Sequence, residues 1–204
     1  MQIMVVGNAP LNEDFSALID RADEVIRFNR ANNFGGHGGT RTTVLCLANW
    51  GEIGRKIAKR RLLTGLPCFP EVREFWFSRP SFHESSFLWR KHWRRDFDNL
   101  DYSNAIVRRN SLRARTRIFF GADIYRRCLE LCRIEQDVQI PKMQPSTGFL
   151  GLQYVLQRYG ACGATITLVG FTFAGWERHP WQAEQAVVEA LEHEGRIRWL
   201  RQPC

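Results

Sequence analysis

His179 stands immediately before a proline and five residues ahead of Glu184, in the stretch W-E-R-H-P-W-Q-A-E-Q-A-V-V-E-A-L. Proline favours the first position of a helix, and Trp181, Val187, Val188 and Leu191 recur with helical spacing. His179 is therefore expected at or near an N-cap, at the mouth of a helix rather than inside it. An imidazole there is either a polar cap or a general base, and its ordinary pKa near ~6.5 suits a base working close to neutral pH. A second stretch, Pro145-Ser146-Thr147-Gly148, opens another helix. Free N–H groups at such a start suit an anion, although Ser146 is also a good N-cap in its own right. Gly7-Asn8 and Phe28-Asn29 each close an apolar run. Asparagine often caps a loop, but two of them together offer donors and acceptors suited to ribose and phosphate. Each stretch alone has a purely local explanation. Together they suggest a nucleotide site.

The elements that must position these residues alternate. Apolar runs at 2–7, 24–29, 41–49, 71–78, 164–173 and 195–200 read as strands, several of them rich in β-branched residues. Residues 12–20, 52–63, 117–134 and 145–160 read as helices, as does the segment after His179. This order predicts a single α/β domain over residues 1–204, with a Rossmann-like, mainly parallel sheet. In open sheets of that kind, ligands collect outside the carboxyl ends of the strands, where the marked stretches fall. Dinucleotide binding is disfavoured. The first turn reads V-G-N-A-P-L rather than G-x-G-x-x-G, no Walker A loop occurs, and F-G-G-H-G-G is trailed by another strand.

The net charge of +8 is unevenly spread: residues 54–117 hold 16 Lys/Arg against 6 Asp/Glu, a local +10 that leaves −2 for the remainder. Within it, residues 78–117 interleave basic and aromatic side chains and are expected to form a lid or insertion of helix and loop. Three uses suit the basic segment 54–117. It is a solvated face over buried aromatic anchors, or a contact for an anionic glycan or lipid at a membrane surface, or a nucleic-acid footprint. The last is disfavoured, because no RNA-binding or zinc-finger pattern accompanies it. No apolar run approaches the ~18 residues of a membrane span, and the first eight residues are too short for a signal-peptide core, so a cytoplasmic protein is expected. Cys46, Cys68, Cys128, Cys132, Cys162 and Cys204 form no C-x-x-C pair and are expected as free thiols. Asp96, Asp98 and Asp101 approach a D-x-D pattern but lie in the basic segment, where they read as a solvated loop or helix cap. His37, in the glycine-rich loop, and His193 read as solvated.

V-V-G-N-A-P-L, E-V-I-R-F-N and F-G-G-H-G-G-T-R-T-T, within residues 5–43, resemble the long motif of the sialyltransferases of glycosyltransferase family 29. P-S-T-G-F-L-G-L-Q-Y-V-L with I-T-L-V-G-F-T-F resembles that family's short motif, and His179 to Glu184 resembles its H-x-x-x-x-E motif, in the same order. The chain also looks like short bacterial relatives of that family, some labelled urease operon accessory protein. The resemblance implies a modified GT-A fold, a CMP-sugar donor (most often CMP-sialic acid, with Kdo as a related sugar) and a glycan or glycolipid acceptor. It also implies an inverting reaction with no metal or other cofactor. Carried over by position, Asn8 and Asn29 would meet the CMP ribose and phosphate, with Gly7 beside them. Ser146, Thr147 and Gly148 would hold the donor's phosphate or carboxylate region, and His179 would be the base. Glu184 and Arg41 would support the site, and Trp176 or Arg178 would replace the phosphate contact of the family's third motif, which is not evident here. Ile3 stands where the long motif usually begins with cysteine, so the family's disulfide is not expected. The alternative reading is an accessory protein that keeps the nucleotide pocket without turnover.

Overall fold

A computed structural model describes residues 1–60, 62–81, 100–134 and 143–201. Seven strands build one sheet: β1 (Gln2–Val6), β2 (Glu24–Phe28), β3 (Val44–Leu47), β4 (Glu74–Phe77), β5 (Thr116–Phe119), β6 (Thr165–Val169) and β7 (Arg198–Leu200). Their order is β5-β4-β3-β2-β1-β6-β7, and every neighbouring pair is parallel. The connecting helices are α1 (Ser16–Asp20), α2 (Gly51–Arg60), α3 (Ser103–Arg109), α4 (Ala122–Leu131), α5 (Thr147–Tyr159) and α6 (Trp181–His193). This is the α/β, Rossmann-like parallel sheet expected from the sequence.

Crossover helices cover both faces of a parallel sheet, so its strands are apolar on both sides. Alternation then sorts residues by face. Ile3, Val5, Ile26, Phe28, Val44, Cys46 and Trp76 meet α5 through Phe149, Leu150, Leu152 and Val155. Leu45, Leu47, Phe75 and Phe77 point the other way, onto Ile57 of α2 and Ile106 of α3. Met4, Val6 and Val25 pack on Ile19 of α1. The last turn of α5 is tied back to the sheet where Arg158 reaches Glu74 at 2.6 and 2.9 Å.

Two expectations change. Residues 117–134 are not one helix: Arg117, Ile118 and Phe119 pair with Phe75, Trp76 and Phe77 as part of β5, and α4 starts only after Gly121, whose backbone is extended. The late strand stops at Val169, because Gly170 turns the chain at φ +71°. Residues 82–99 of the expected basic insertion, with His83, His92, Asp96 and Asp98, lie outside the described residues. Its described flanks belong to the body of the fold. Arg79 and Ser81 are buried after β4, and α3 and β5 continue the layers. Among the described residues no helix is long and apolar enough to cross a membrane. Cys46, Cys68, Cys128 and Cys132 are buried free thiols and Cys162 an exposed one; burial pushes the Cys132 thiol up to about 12.

Candidate functional site

The chain runs outward from β1 to β5, then returns to place β6 on the other side of β1. That reversal is a topological switch point, where the loops leaving neighbouring strands diverge and open a crevice. A cavity of about 340 Å³ lies there. It brings together Gly7, Asn8, Asn29, Ser146, Thr147, Gly148 and His179. Ala9, Phe28, Ile53 of α2, the loop after β6 and Trp181 complete its wall, and no Lys, Arg, Asp or Glu is among the described residues that line it.

The floor depends on two backbones touching. The Gly7 N–H donates to the Val169 carbonyl at 2.8 Å, and a Cβ on Gly7 would stand 2.1 Å from the Gly170 oxygen. Gly7→Ala is therefore expected to destabilise the fold by about 1–3 kcal/mol, read as a lower urea midpoint at unchanged m-value. Asn33 secures the same loop, its amide nitrogen donating to the carbonyls of Gly7 and Ala9 at 2.7 and 2.6 Å. Phe173, at φ +48°, holds a conformation that costs a bulky side chain of order 1–3 kcal/mol, against Trp199 at 5.1 Å.

The two asparagines are partly engaged by the protein. Asn8 donates to the Phe28 carbonyl at 3.2 Å and accepts from the Asn32 N–H at 3.0 Å, which staples the loops after β1 and β2. Asn29, in the left-handed region at φ +52°, accepts from the Ala48 N–H at 2.8 Å. Its amide nitrogen has no partner among the described residues, so two donors remain for a ligand.

Ser146 caps α5, its Oγ accepting from the Phe149 N–H at 3.1 Å. Its own donors both go to Glu184, N–H to Oε1 at 2.6 Å and Oγ to Oε2 at 2.7 Å. Glu184 is fully buried in the first turn of α6, and burial pushes its carboxyl up to about 7 against the opposing pull of Ser146. The pair thus binds the start of α6 to the start of α5. What α5 leaves open are the N–H groups of Thr147 and Gly148 and the Thr147 hydroxyl, which have no partner among the described residues. Unsatisfied N–H groups at a helix start carry partial positive charge and favour an anion.

His179 precedes α6, whose N-cap is Pro180 rather than the imidazole. Its Nδ1 lies 2.7 Å from the Gln144 carbonyl oxygen. A carbonyl only accepts, so Nδ1 carries the proton and Nε2 keeps a lone pair. The rings of Trp176 and Trp181 flank the imidazole nearly at right angles, 4.8 and 4.9 Å away. Burial, foremost, holds its pKa below the ordinary histidine value, with Arg79 acting the same way and the Gln144 acceptor opposing both. At neutral pH the group is a neutral base.

Other expected residues stand apart from the cavity. Arg41 gives its N–H to Asp20 at 2.8 Å and its guanidinium to the Asp23 carbonyl at 3.3 Å. Trp176, 48% exposed, touches His179 from outside the cavity wall and carries the Arg178 guanidinium over its ring at 5.3 Å. His37 reaches the Leu11 carbonyl at 3.0 Å and His193 ends α6 in solvent. Asp101, two residues before α3, accepts from the Ser103 N–H at 2.8 Å, although the N-cap itself is Tyr102. Among the described residues no three His, Cys, Asp or Glu side chains converge as metal ligands. The sequence reading missed three supports, two of them buried. Arg27 is fully buried and donates to the carbonyls of Asn33, Gly38, Gly39 and Arg41, which shapes the glycine-rich loop. Asn33 and Gln144 were the others. None carries a sequence signal that separates it from a surface polar residue.

No family model matches the chain. The urease operon 23 kDa accessory protein of Rhizobium meliloti (strain 1021) is 30% identical over 207 residues, spanning 97% of this chain and 92% of that protein. The chain belongs to that accessory-protein family. Its fold is that of the sialyltransferases. A mammalian sialyltransferase superposes with a TM-score of 0.61 at 18% identity, covering 99% of this chain and 69% of the other. A second, in complex with Gal-beta-1-3GalNAc-ortho-nitrophenol, gives 0.57 at 16% identity, covering 99% and 70%. At these identities the likeness is one of fold. This member of the accessory-protein family thus has a sialyltransferase-type sheet, with a cavity at its switch point that His179 helps to line.

Proposed function

We propose that the chain is a sialyltransferase-like glycosyltransferase that moves a sugar from a CMP-sugar to a hydroxyl of a glycan or glycolipid, with inversion and without a metal. One observation carries the reading: Thr147 and Gly148, whose N–H groups are open, and His179, whose Nδ1 bond leaves Nε2 as the acceptor, line a single cavity at the switch point. The uncharged lining supports a nucleoside monophosphate sugar over a diphosphate sugar. A phosphodiester carries one negative charge, which N–H dipoles can hold, whereas a diphosphate calls for cations.

In the reaction this implies, His179 Nε2 takes the proton of the acceptor hydroxyl as that oxygen attacks the anomeric carbon. The bond from that carbon to the phosphate oxygen breaks on the opposite face, which inverts the centre. CMP leaves with its electron pair against the N–H groups of Thr147 and Gly148. The amide of Asn29 is free to meet ribose or phosphate. Glu184 touches no ligand in this scheme and sets the angle between the two helix starts.

The relative's name favours a second reading, an accessory protein that binds a nucleotide and does not turn over. Calorimetric titration with CMP, UMP, AMP and NAD, with and without EDTA, separates the outcomes. Selective, EDTA-insensitive CMP binding is expected. CMP binding without transfer from CMP-sialic acid or CMP-Kdo to any acceptor, beside a working control enzyme, would favour the accessory reading. No CMP binding would end both.

A further inference from the structure

Arg79 leaves the end of β4 and is 8% exposed, yet no carboxylate pairs with it among the described residues. A buried guanidinium without an acid is costly to desolvate and must be met by dipoles and aromatic faces. Its carbon end lies 4.4 Å from the Tyr125 ring centre and 5.4 Å from that of Trp50. One nitrogen donates to the Tyr125 hydroxyl at 3.2 Å and to the Gln144 side-chain oxygen at 2.6 Å. Its backbone is held too: Asn49 accepts from the Arg79 N–H at 3.1 Å and donates to the Arg79 carbonyl at 2.9 Å.

Gln144 is consequently pinned at three points. Arg79 holds its side chain, the Arg178 carbonyl accepts its N–H at 2.8 Å, and its own carbonyl accepts from His179 Nδ1 at 2.7 Å. That last bond decides which nitrogen of the imidazole bears the proton. We propose that Arg79 and Gln144 are positioning residues: by fixing the Gln144 carbonyl, the buried guanidinium keeps His179 in the Nδ1–H form, with Nε2 turned to the cavity as acceptor. Released from it, the imidazole would drift to the Nε2–H form, which donates where a base must accept. The relevance to catalysis rests on the reading of His179 as the base; the tautomer itself does not.

The test is long-range 1H–15N NMR of the 15N-labelled full chain, above the titration range of the imidazole, with the His179 signals assigned by their loss in His179→Ala. Wild type is expected to show a protonated Nδ1 and a bare Nε2. Arg79→Met and Gln144→Met are each expected to move the tautomer ratio about tenfold toward Nε2–H, the equivalent of one hydrogen bond. Gln144→Glu keeps an acceptor for Arg79 and is expected to retain the wild-type signature. A folded Arg79→Met with Nδ1 still protonated would reduce Arg79 to a structural cation and overturn the proposal. Should Arg79→Met fail to fold, Gln144→Met decides, since it leaves the Arg79 contacts to Tyr125 and Trp50 in place, and an unchanged tautomer there overturns it equally. The signal is read without nucleotide, so failure to bind CMP and failure of this proposal are separate results.

Discussion

Replacing His179 with alanine is expected to slow sugar transfer by roughly 10²- to 10⁴-fold while CMP binds within a few-fold of wild type. The split follows from where the ring stands. His179 lines the same cavity as the open N–H groups of α5, and in the proposed reaction its imidazole takes the acceptor proton while those N–H groups hold the phosphate. A parallel loss of CMP affinity would show instead that the imidazole is a donor contact. The pH dependence has a defined sign. With His179 as the proposed base, the rate requires neutral imidazole and is expected to rise with pH through the His179 pKa, which burial holds below the ordinary histidine value. The rising limb of kcat/KM is expected below the usual imidazole range and is expected to vanish in the alanine variant.

Glu184 carries the second large expectation, on stability. Its carboxyl is raised from the ordinary 4.5 to about 7, so between those values the folded protein keeps a proton that the unfolded chain has released. The contribution is complete below about 4.5 and is lost as pH rises through about 7; a shift of that size corresponds to about 3 kcal/mol. Glu184→Gln imitates the protonated acid: its carbonyl can accept the Ser146 N–H and its amide can donate to Ser146 Oγ. Urea unfolding at several pH values should find the glutamine variant close to wild type at pH 4.5 and more stable above pH 7, by up to about 3 kcal/mol. Glu184→Ala strands the Ser146 N–H in a buried place and opens a void, so it is expected to cost about 3 kcal/mol near pH 5. A difference between wild type and Glu184→Gln that does not grow with pH would mean the carboxyl is ionised in the folded protein.

What the sequence disclosed was governed by burial. Strands covered on both faces, such as Ile3 to Val6 and Val44 to Leu47, are unbroken apolar runs and could be read directly. The edge strand β5 is only half covered, and its Thr-Arg-Ile-Phe merges in pattern with the helix that follows, so it was read as helix. The residues lining the cavity were legible because they fall at strand ends and helix starts, which punctuation by glycine, proline and serine marks. Their bonds were not. That Ser146 spends both donors on Glu184, or that Asn8 staples two loops, depends on side chains meeting across 38 and 24 residues of sequence. Arg27 and Arg79 are as opaque, since a buried guanidinium looks, letter by letter, like the many basic residues on the surface.

The return of the chain to the first strand also sets an order of events during synthesis. Strands β1 to β5 leave the ribosome in the sequence in which they pair, but the far side of β1 has no neighbour until Thr165 to Val169 has been made. At about 5–20 residues per second that is a delay on the order of ten seconds or more, during which Ile3 to Val6 present an uncovered apolar edge. The nascent chain is most exposed to aggregation in that interval, and the cavity forms only when its last third arrives.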